Sequence, residues 1–235
     1  MAERDVLLAI DTSQREQSVA VVSGDGAVVV EPVRTGDRTH EDLMPAIDRA
    51  FARLGASPER LHAVLINAGP GGFTGLRIAH ATAQAMALAC GARIVPVGAG
   101  ACARMASVLA GELASGDAVW VALASKGDES WVQRVEGSVE AVAHDGRSSE
   151  ASAWSCDGVR QLIADEHLPA SWRQRAAQQD VRCLPLRVGA EAVLQAGRAN
   201  LALGRHVAPE AAVPVYPREA EAVRLWRQRH AAPPA

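Results

Sequence analysis

Three short apolar runs open the chain, at Val6–Ile10, Ser18–Val22 and Ala27–Glu31, with Gly24-Asp25-Gly26 marking the second turn between them. Their length and turn residues predict three strands joined by tight connections. The period then lengthens. From Glu41 to Leu54, residues Leu43, Ile47, Ala50 and Leu54 fall on one side of a helix. A buried strand is predicted at Ala63–Asn67, then a helix over Leu76–Cys90, a strand at Ala92–Val97 and a helix over Ala99–Leu113 that stops at Ser115-Gly116. After Gly116 the pattern starts again. Strand candidates stand at Val119–Ala124, Trp131–Val135 and Val139–Ala143, followed by helical stretches at Asp157–Glu166 and Val188–Leu203 with a Val181–Leu184 strand between them. Glu219–His230 forms a closing helix. A strand triplet followed by alternating helices, used twice, predicts an α/β protein of two duplicated halves, 1–115 and 116–235. The second half is the degenerate one, and its final helix is expected to pack back on the first.

The densest local signal is Asn67-Ala68-Gly69-Pro70-Gly71-Gly72-Phe73-Thr74-Gly75-Leu76-Arg77, between a strand and a helix. Glycines there let backbone N–H groups turn toward a ligand, and the new helix end adds partial positive charge. The loop therefore reads either as a phosphate contact through Gly69, Gly71, Gly72, Thr74 and Gly75 or as a tight connection alone. It is not a Walker A loop, because Gly75 is followed by Leu76 and the single lysine of the chain is Lys126. Asp11-Thr12-Ser13 ends the first strand and also reads two ways. It can satisfy its own backbone as a turn, or present a carboxylate and two hydroxyls to a nucleotide phosphate or its metal.

Composition narrows the function classes. Hydrophobic residues at 49% and charged residues at 22% fit a globular domain, and 235 residues supply an ample core. A net charge of −3 argues against an autonomous nucleic-acid binder. Aromatics at 3% argue against base-stacking platforms. The densest basic patch, Arg224, Arg227 and Arg229, reads as the solvated face of the last helix. Cys90, Cys102, Cys156 and Cys183 lack paired spacing, which disfavours zinc and disulfides and points to a reducing compartment. The early charges Glu3, Arg4 and Asp5 and the shortness of Val6–Ile10 predict no signal peptide, and no run is long enough to span a membrane. A cytoplasmic protein is expected.

No catalytic set emerges. His40-Glu41 lacks the second histidine of a zinc helix, and Thr39, His40 and Glu41 read as a helix start. Ser13, Ser125 and Ser130 lack a nucleophile-elbow setting. The helix after the glycine loop is unusual, since Ile78 to Ala92 carries no formal charge and alanines spread around it. Such a helix is either sunk in a core or clamped against a partner.

With those residues in view, the chain resembles the TsaB (YeaZ) family. The resemblance rests on Ile10–Ser13, on His40 with Leu43 and Pro45, on the Gly69–Ile78 loop and on Pro214-Val215-Tyr216. It implies an actin-like (ASKHA, ribonuclease H-like) fold of two βββαβαβα-type halves. It further implies a non-catalytic subunit that binds TsaD, which transfers a threonylcarbamoyl group to the tRNA adenosine next to the anticodon. TsaE joins the larger complex, and tRNA is met through that complex. ATP or ADP and metal are then expected on the partner subunits, with no cofactor or metal held by this chain. The partner interface is expected at Leu76, Ile78, Ala79, Thr82, Ala83 and Met86, with a homodimer when TsaD is absent. Asp11, Thr12, Ser13 and the loop glycines become vestiges of nucleotide handling. Two departures support that reading. The family's Asp-Ala-Arg in the second half is Ala124-Ser125-Lys126-Gly127-Asp128 here, and Gly72 replaces a loop serine. The alternatives are an ATP-dependent small-molecule kinase of the same superfamily and a glycoprotease-like peptidase.

Overall fold

The computed structural model describes residues 5–34, 42–125, 127–136, 146–217 and 221–230. The expected strand at Val139–Ala143, the helix start at Thr39–Glu41, His40 and Lys126 lie outside the described residues.

Strands β1 (Val6–Asp11), β2 (Gln17–Val22) and β3 (Val28–Val33) form an antiparallel meander. Helix α1 (Leu43–Leu54), strand β4 (Leu61–Gly69), helix α2 (Phe73–Cys90), strand β5 (Arg93–Gly98) and helix α3 (Ala99–Leu109) follow. β4 and β5 add in parallel beyond β1, which gives the order β3-β2-β1-β4-β5. The second half builds β6 (Val119–Ala124), β7 (Glu129–Val135), β8 (Arg147–Glu150), β9 (Gln161–Ala164), α4 (Ala170–Gln178) and β10 (Arg182–Pro185). Its sheet order is β10-β9-β6-β7-β8, the same sequence of antiparallel and parallel pairings read from the other end. The duplication is therefore real. Helices α5 (Ala190–Ala202) and α6 (Glu221–His230) complete the chain.

Two expectations need correction, and one helix went unpredicted. The stretch Asp157–Glu166 holds strand β9, not a helix. Leu162 packs among the tryptophans on one face of the sheet and Ile163 into the opposite core, and a strand buried on both faces carries no alternation to betray it. Helix α4 goes unpredicted because only Trp172 and Ala176 of it are buried. Helix α3 ends at Leu109, short of Leu113. The return to the first sheet is made by α5, which packs on β1, β2, β4 and β5, and the second sheet spans 119–185.

Two cores flank the first sheet. On one face Leu8, Ile10, Val19, Val64 and Ile66 meet α1 through Leu43, Ile47 and Phe51, and meet α2 through Ala79, Ala83 and Met86. On the other face Ala9, Ala20, Leu65, Val95 and Val97 meet Val193 and Leu194 of α5 and Cys102 of α3. The opposite side of α3 presents Ala99 and Ala103 to Val119, Val121, Trp131 and Val135 of the second half. Small residues let α3 lie between the two sheets. The buried Arg104 guanidinium donates to the carbonyls of Ser115 and Asp117 and ties α3 to the connector between the halves. Trp120, Trp154 and Trp172 fill the outer core of the second half, with ring centroids 6.1 and 5.7 Å apart. All four cysteines are free. No helix among the described residues is long and apolar enough to cross a membrane.

Candidate functional site: the glycine loop, the cleft and the outer helix face

β1 and β4 run parallel as neighbours, so Asp11-Thr12-Ser13 and Asn67-Ala68-Gly69 leave the sheet at the same edge. Asp11, Thr12, Ser13 and Asn67 are all buried there. The Ser13 amide donates to Asp11 Oδ1 at 3.0 Å, and Asn67 Nδ2 donates to the same oxygen at 3.3 Å and to Ser13 Oγ at 2.9 Å. The Gly69 amide donates to Asn67 Oδ1 at 3.0 Å. Asn67 thus joins both turns, although the glycine stretch that it opens assigned it no separate role beforehand.

The glycine loop closes onto this turn. Thr12 Oγ1 donates to the Gly75 carbonyl at 2.7 Å, and the Gly72 amide donates to the Ser13 carbonyl at 2.8 Å. A Cβ on Gly75 would lie 1.9 Å from the Thr12 carbonyl oxygen, and one on Gly71 would lie 2.8 Å from that of Ser13. Only glycine lets the two backbones approach so closely. From the far end of the sequence, the Val215 amide donates to the Ala68 carbonyl at 2.7 Å. Arg77 Nε donates to the Tyr216 hydroxyl at 3.3 Å, and its guanidinium lies 3.8 Å from the centre of the Phe73 ring. The structure therefore brings Ile10–Ser13, Gly69–Ile78 and Pro214–Tyr216 together. The Phe73–Arg77–Tyr216 cluster went unread, since no spacing links residues so far apart.

These contacts fix the loop's chemistry. Amides of Gly69 and Gly72 that could face a phosphate bond to Asn67 and Ser13 instead, while Thr74 remains exposed. Gly72 caps α2 without a side-chain hydrogen bond. Asp11 Oδ2 is buried without a partner. Burial pushes the Asp11 carboxyl above its ordinary value of 3.8, against the hydrogen bonds from Ser13 and Asn67. Burial, with the Asp11 carboxylate nearby, also raises the Cys102 thiol. Among the described residues no group of His, Cys, Asp and Glu is arranged to hold a metal ion.

Beside the turn a cleft of about 830 Å³ separates the halves. Gln14, Arg15 and Glu16 line one wall, and Asp165, Arg173, Cys183 and Arg187 line the other. Arg15 and Glu166 face each other across it at 3.7 Å, both largely exposed, so the pair adds little to stability. Sequence reasoning found none of these cleft residues.

The outer face of α2 is displaced from the strip expected. Leu76, Ala79, Ala83 and Met86 face the chain's own core, and Ile78 and Thr82 are half-buried at its edge. Those first four residues are not available to a partner. The open strip is Phe73, Arg77, Ala81, Ala85, Leu88 and Ala89, with Leu88 73% exposed. On the same side of the sheet α1 exposes Met44 and Ala52.

The geometry defines an actin-like α/β protein with a closed glycine loop. A family model described as TsaD, tRNA N6-adenosine threonylcarbamoyltransferase, matches residues 16–125. The TsaB protein of Haemophilus influenzae is 33% identical over 93 residues, covering 39% of this chain and 38% of that protein. The tRNA N6-adenosine threonylcarbamoyltransferase of Anaeromyxobacter dehalogenans is 34% identical over 107 residues, 39% of this chain and 32% of that enzyme. The matched segment thus spans well under half the length of either relative. YeaZ of Pseudomonas aeruginosa superposes with a TM-score of 0.71 at 22% identity, over 89% of this chain and all of YeaZ. The resemblance to the TsaB (YeaZ) family holds, in fold over nearly the whole chain and in sequence over 93 residues.

Two outcomes follow from the loop. Gly75→Ala sets a methyl against backbone that cannot swing aside and lowers stability by roughly 3 kcal/mol or more, while the exposed neighbour Thr74→Ala changes it by less than about 0.5 kcal/mol. Urea denaturation of both variants measures the difference. Because the folded Asp11 pKa is raised, its contribution to stability is complete below the unfolded value of 3.8 and is lost as pH climbs through the folded value. Asp11→Asn keeps the acceptor at Oδ1 and removes that loss. The variant is more stable than the parent at pH 7, where the buried carboxyl of the parent has lost that contribution. The gap closes as the pH of the denaturation series falls toward 4.

Proposed function

We propose that this chain is a TsaB-type subunit of the bacterial machinery that places threonylcarbamoyl on the tRNA adenosine next to the anticodon. It binds and activates TsaD in the cytoplasm. The observation that carries the reading is the outer strip of α2, where Ala81, Ala85, Leu88 and Ala89 expose an uncharged, small-residue surface on a helix whose other side is locked into the core. Small side chains allow a partner helix to approach closely, and the fixed backbone of α2 lowers the ordering cost of binding. In this reading ATP, metal and the transfer chemistry sit on TsaD and TsaE, and without TsaD the same strip pairs two copies of this chain.

Size-exclusion chromatography with light scattering, mixing the chain with TsaD of the same organism, tests the pairing. The parent chain co-elutes with TsaD. Ala85→Arg and Leu88→Arg leave the fold intact because both sites are exposed, and they weaken pairing by roughly 2–4 kcal/mol through burial of an unpaired charge. Normal pairing by both variants removes α2 as the interface.

A nucleotide-handling enzyme is the second reading, favoured by the transferase family match and by the cleft between the halves. It requires tight Mg-nucleotide binding by this chain. The subunit reading expects no binding heat when the isolated chain is titrated to millimolar MgATP in a calorimeter, and a saturating isotherm reverses the choice.

A further inference from the structure

Arg77 is the charged member of the open strip of α2, whose other residues are Phe73, Ala81, Ala85, Leu88 and Ala89. It is exposed, yet it is held. Its guanidinium lies 3.8 Å from the centre of the Phe73 ring, and its Nε donates to the Tyr216 hydroxyl at 3.3 Å. The two ring centres are 5.2 Å apart, so the side chain is fixed from two directions. Among the described residues, Nη1 and Nη2 have no acceptor and Arg77 makes no ion pair. The charge also reaches back over Phe73, the first residue of α2. The first turn there contains no acid, and Gly72 caps the helix without a side-chain hydrogen bond. The partial positive charge of that helix end therefore adds to the guanidinium and does not offset it.

A partner that covers this strip takes Arg77 out of water. A covered charge without a counter-charge opposes association, whereas a carboxylate set against the guanidinium fork makes two parallel hydrogen bonds. With Nε already bonded to Tyr216, the open end of the fork is Nη1 and Nη2, and those two donors match the two oxygens of one carboxylate. A side chain already fixed loses little rotamer freedom when it pairs. A nucleic acid is disfavoured, because binding a phosphate backbone takes several cations and the strip continues as alanine and leucine. The α2 strip of a second copy is disfavoured too, since none of its six residues is acidic.

We infer that the surface of TsaD that docks on α2 carries an Asp or Glu opposite Arg77, and that this pair sets the register of the complex. The inference rests on the proposed subunit role. From Phe73 to Leu88 the helix rises about 22 Å. The alanines between are interchangeable to a partner sliding along them, so the charge pair at one end and Leu88 at the other distinguish one register from the next.

Calorimetric titration of the full chain with TsaD of the same organism, at low and high salt, tests the pair. Arg77→Gln is expected to weaken the complex about thirtyfold or more, and Arg77→Glu further. Arg77→Lys keeps the charge but loses the fork, and falls between the parent and Arg77→Gln. Salt weakens the parent complex more than that of Arg77→Gln. Starting from Arg77→Glu, Lys is placed singly at the Asp and Glu positions of TsaD, and one of them restores binding. Tyr216→Phe removes the Nε contact, keeps the charge and costs no more than about threefold. Arg77 and Tyr216 are exposed, so thermal melts of the variants stay with the parent. A loss on Tyr216→Phe as large as that on Arg77→Gln would assign Arg77 to holding the C-terminal segment and overturn the inference. Parent-like binding by Arg77→Gln and Arg77→Glu overturns it, and so does the absence of rescue at every acid of TsaD. If Arg77→Glu blocks only self-association, and Asp48→Arg on the exposed side of α1 restores it in light scattering, the acid belongs to a second copy and the inference fails. No binding of the parent chain to TsaD is a separate result, which removes the subunit reading and the inference with it.

Discussion

The approach of Gly75 to the Thr12 carbonyl is the constraint on which the rest of the first half depends. It sets the first turn of α2 directly on the end of β1, closer than any side chain permits. Thr12 Oγ1 and the Ser13 carbonyl complete the clamp from one side, and Val215 on the Ala68 carbonyl completes it from the other. With its start held, α2 has one way to lie on the sheet. Leu76, Ala79, Ala83 and Met86 go inward, and Ala81, Ala85 and Leu88 go outward. The loop therefore determines which surface the molecule displays, as well as how the strand connects to the helix.

The same clamp separates the loop from the cleft. A loop that cradles a phosphate points its amides at the ligand. Here the Gly69 and Gly72 amides are used within the chain, and the cleft walls are Gln14–Glu16 and residues of the second half. Asp11 is likewise drawn inward, with a raised pKa and Asn67 on its inner oxygen. The motif that looks most like nucleotide handling in the sequence serves here as a structural joint between β1, β4 and α2.

Much of this architecture was legible. The first half follows its hydrophobic period closely, because each strand there ends in a turn signal and the sheet is flanked by long helices. The repeated strand triplet disclosed the duplication. The second half hid β9, since Leu162 and Ile163 bury on opposite faces, and hid α4, since only Trp172 and Ala176 of that helix turn inward. The helix face was the instructive miss. Alanine at nearly every second position of α2 erases the amphipathic stripe, so composition says that the helix is covered without saying on which side. Only the position of Gly75 settles that. The cleft and the Phe73–Arg77–Tyr216 cluster join residues too far apart in sequence for any spacing rule.

The asymmetry between the halves bears on how such a chain could act. Where the first half has α1, between its third and fourth strands, the second has a single turn of 3₁₀ helix at Ala151–Ala153 and a loop. The first half carries two outward helices on one face, stiffened by the loop clamp, and α5 backs the opposite face. Helix α3, gripped by both sheets and tied by its own Arg104 to the carbonyls of the connector, couples the halves. A partner docking on α2 thus meets a surface whose backbone is already ordered through to the second sheet. Binding there loses little conformational entropy, and Ala81, Ala85, Leu88 and Ala89 leave no charge to desolvate, Arg77 being the charged side chain of the strip. Affinity then rests on shape, which makes a single charge placed on that strip more damaging than its small effect on folding would suggest.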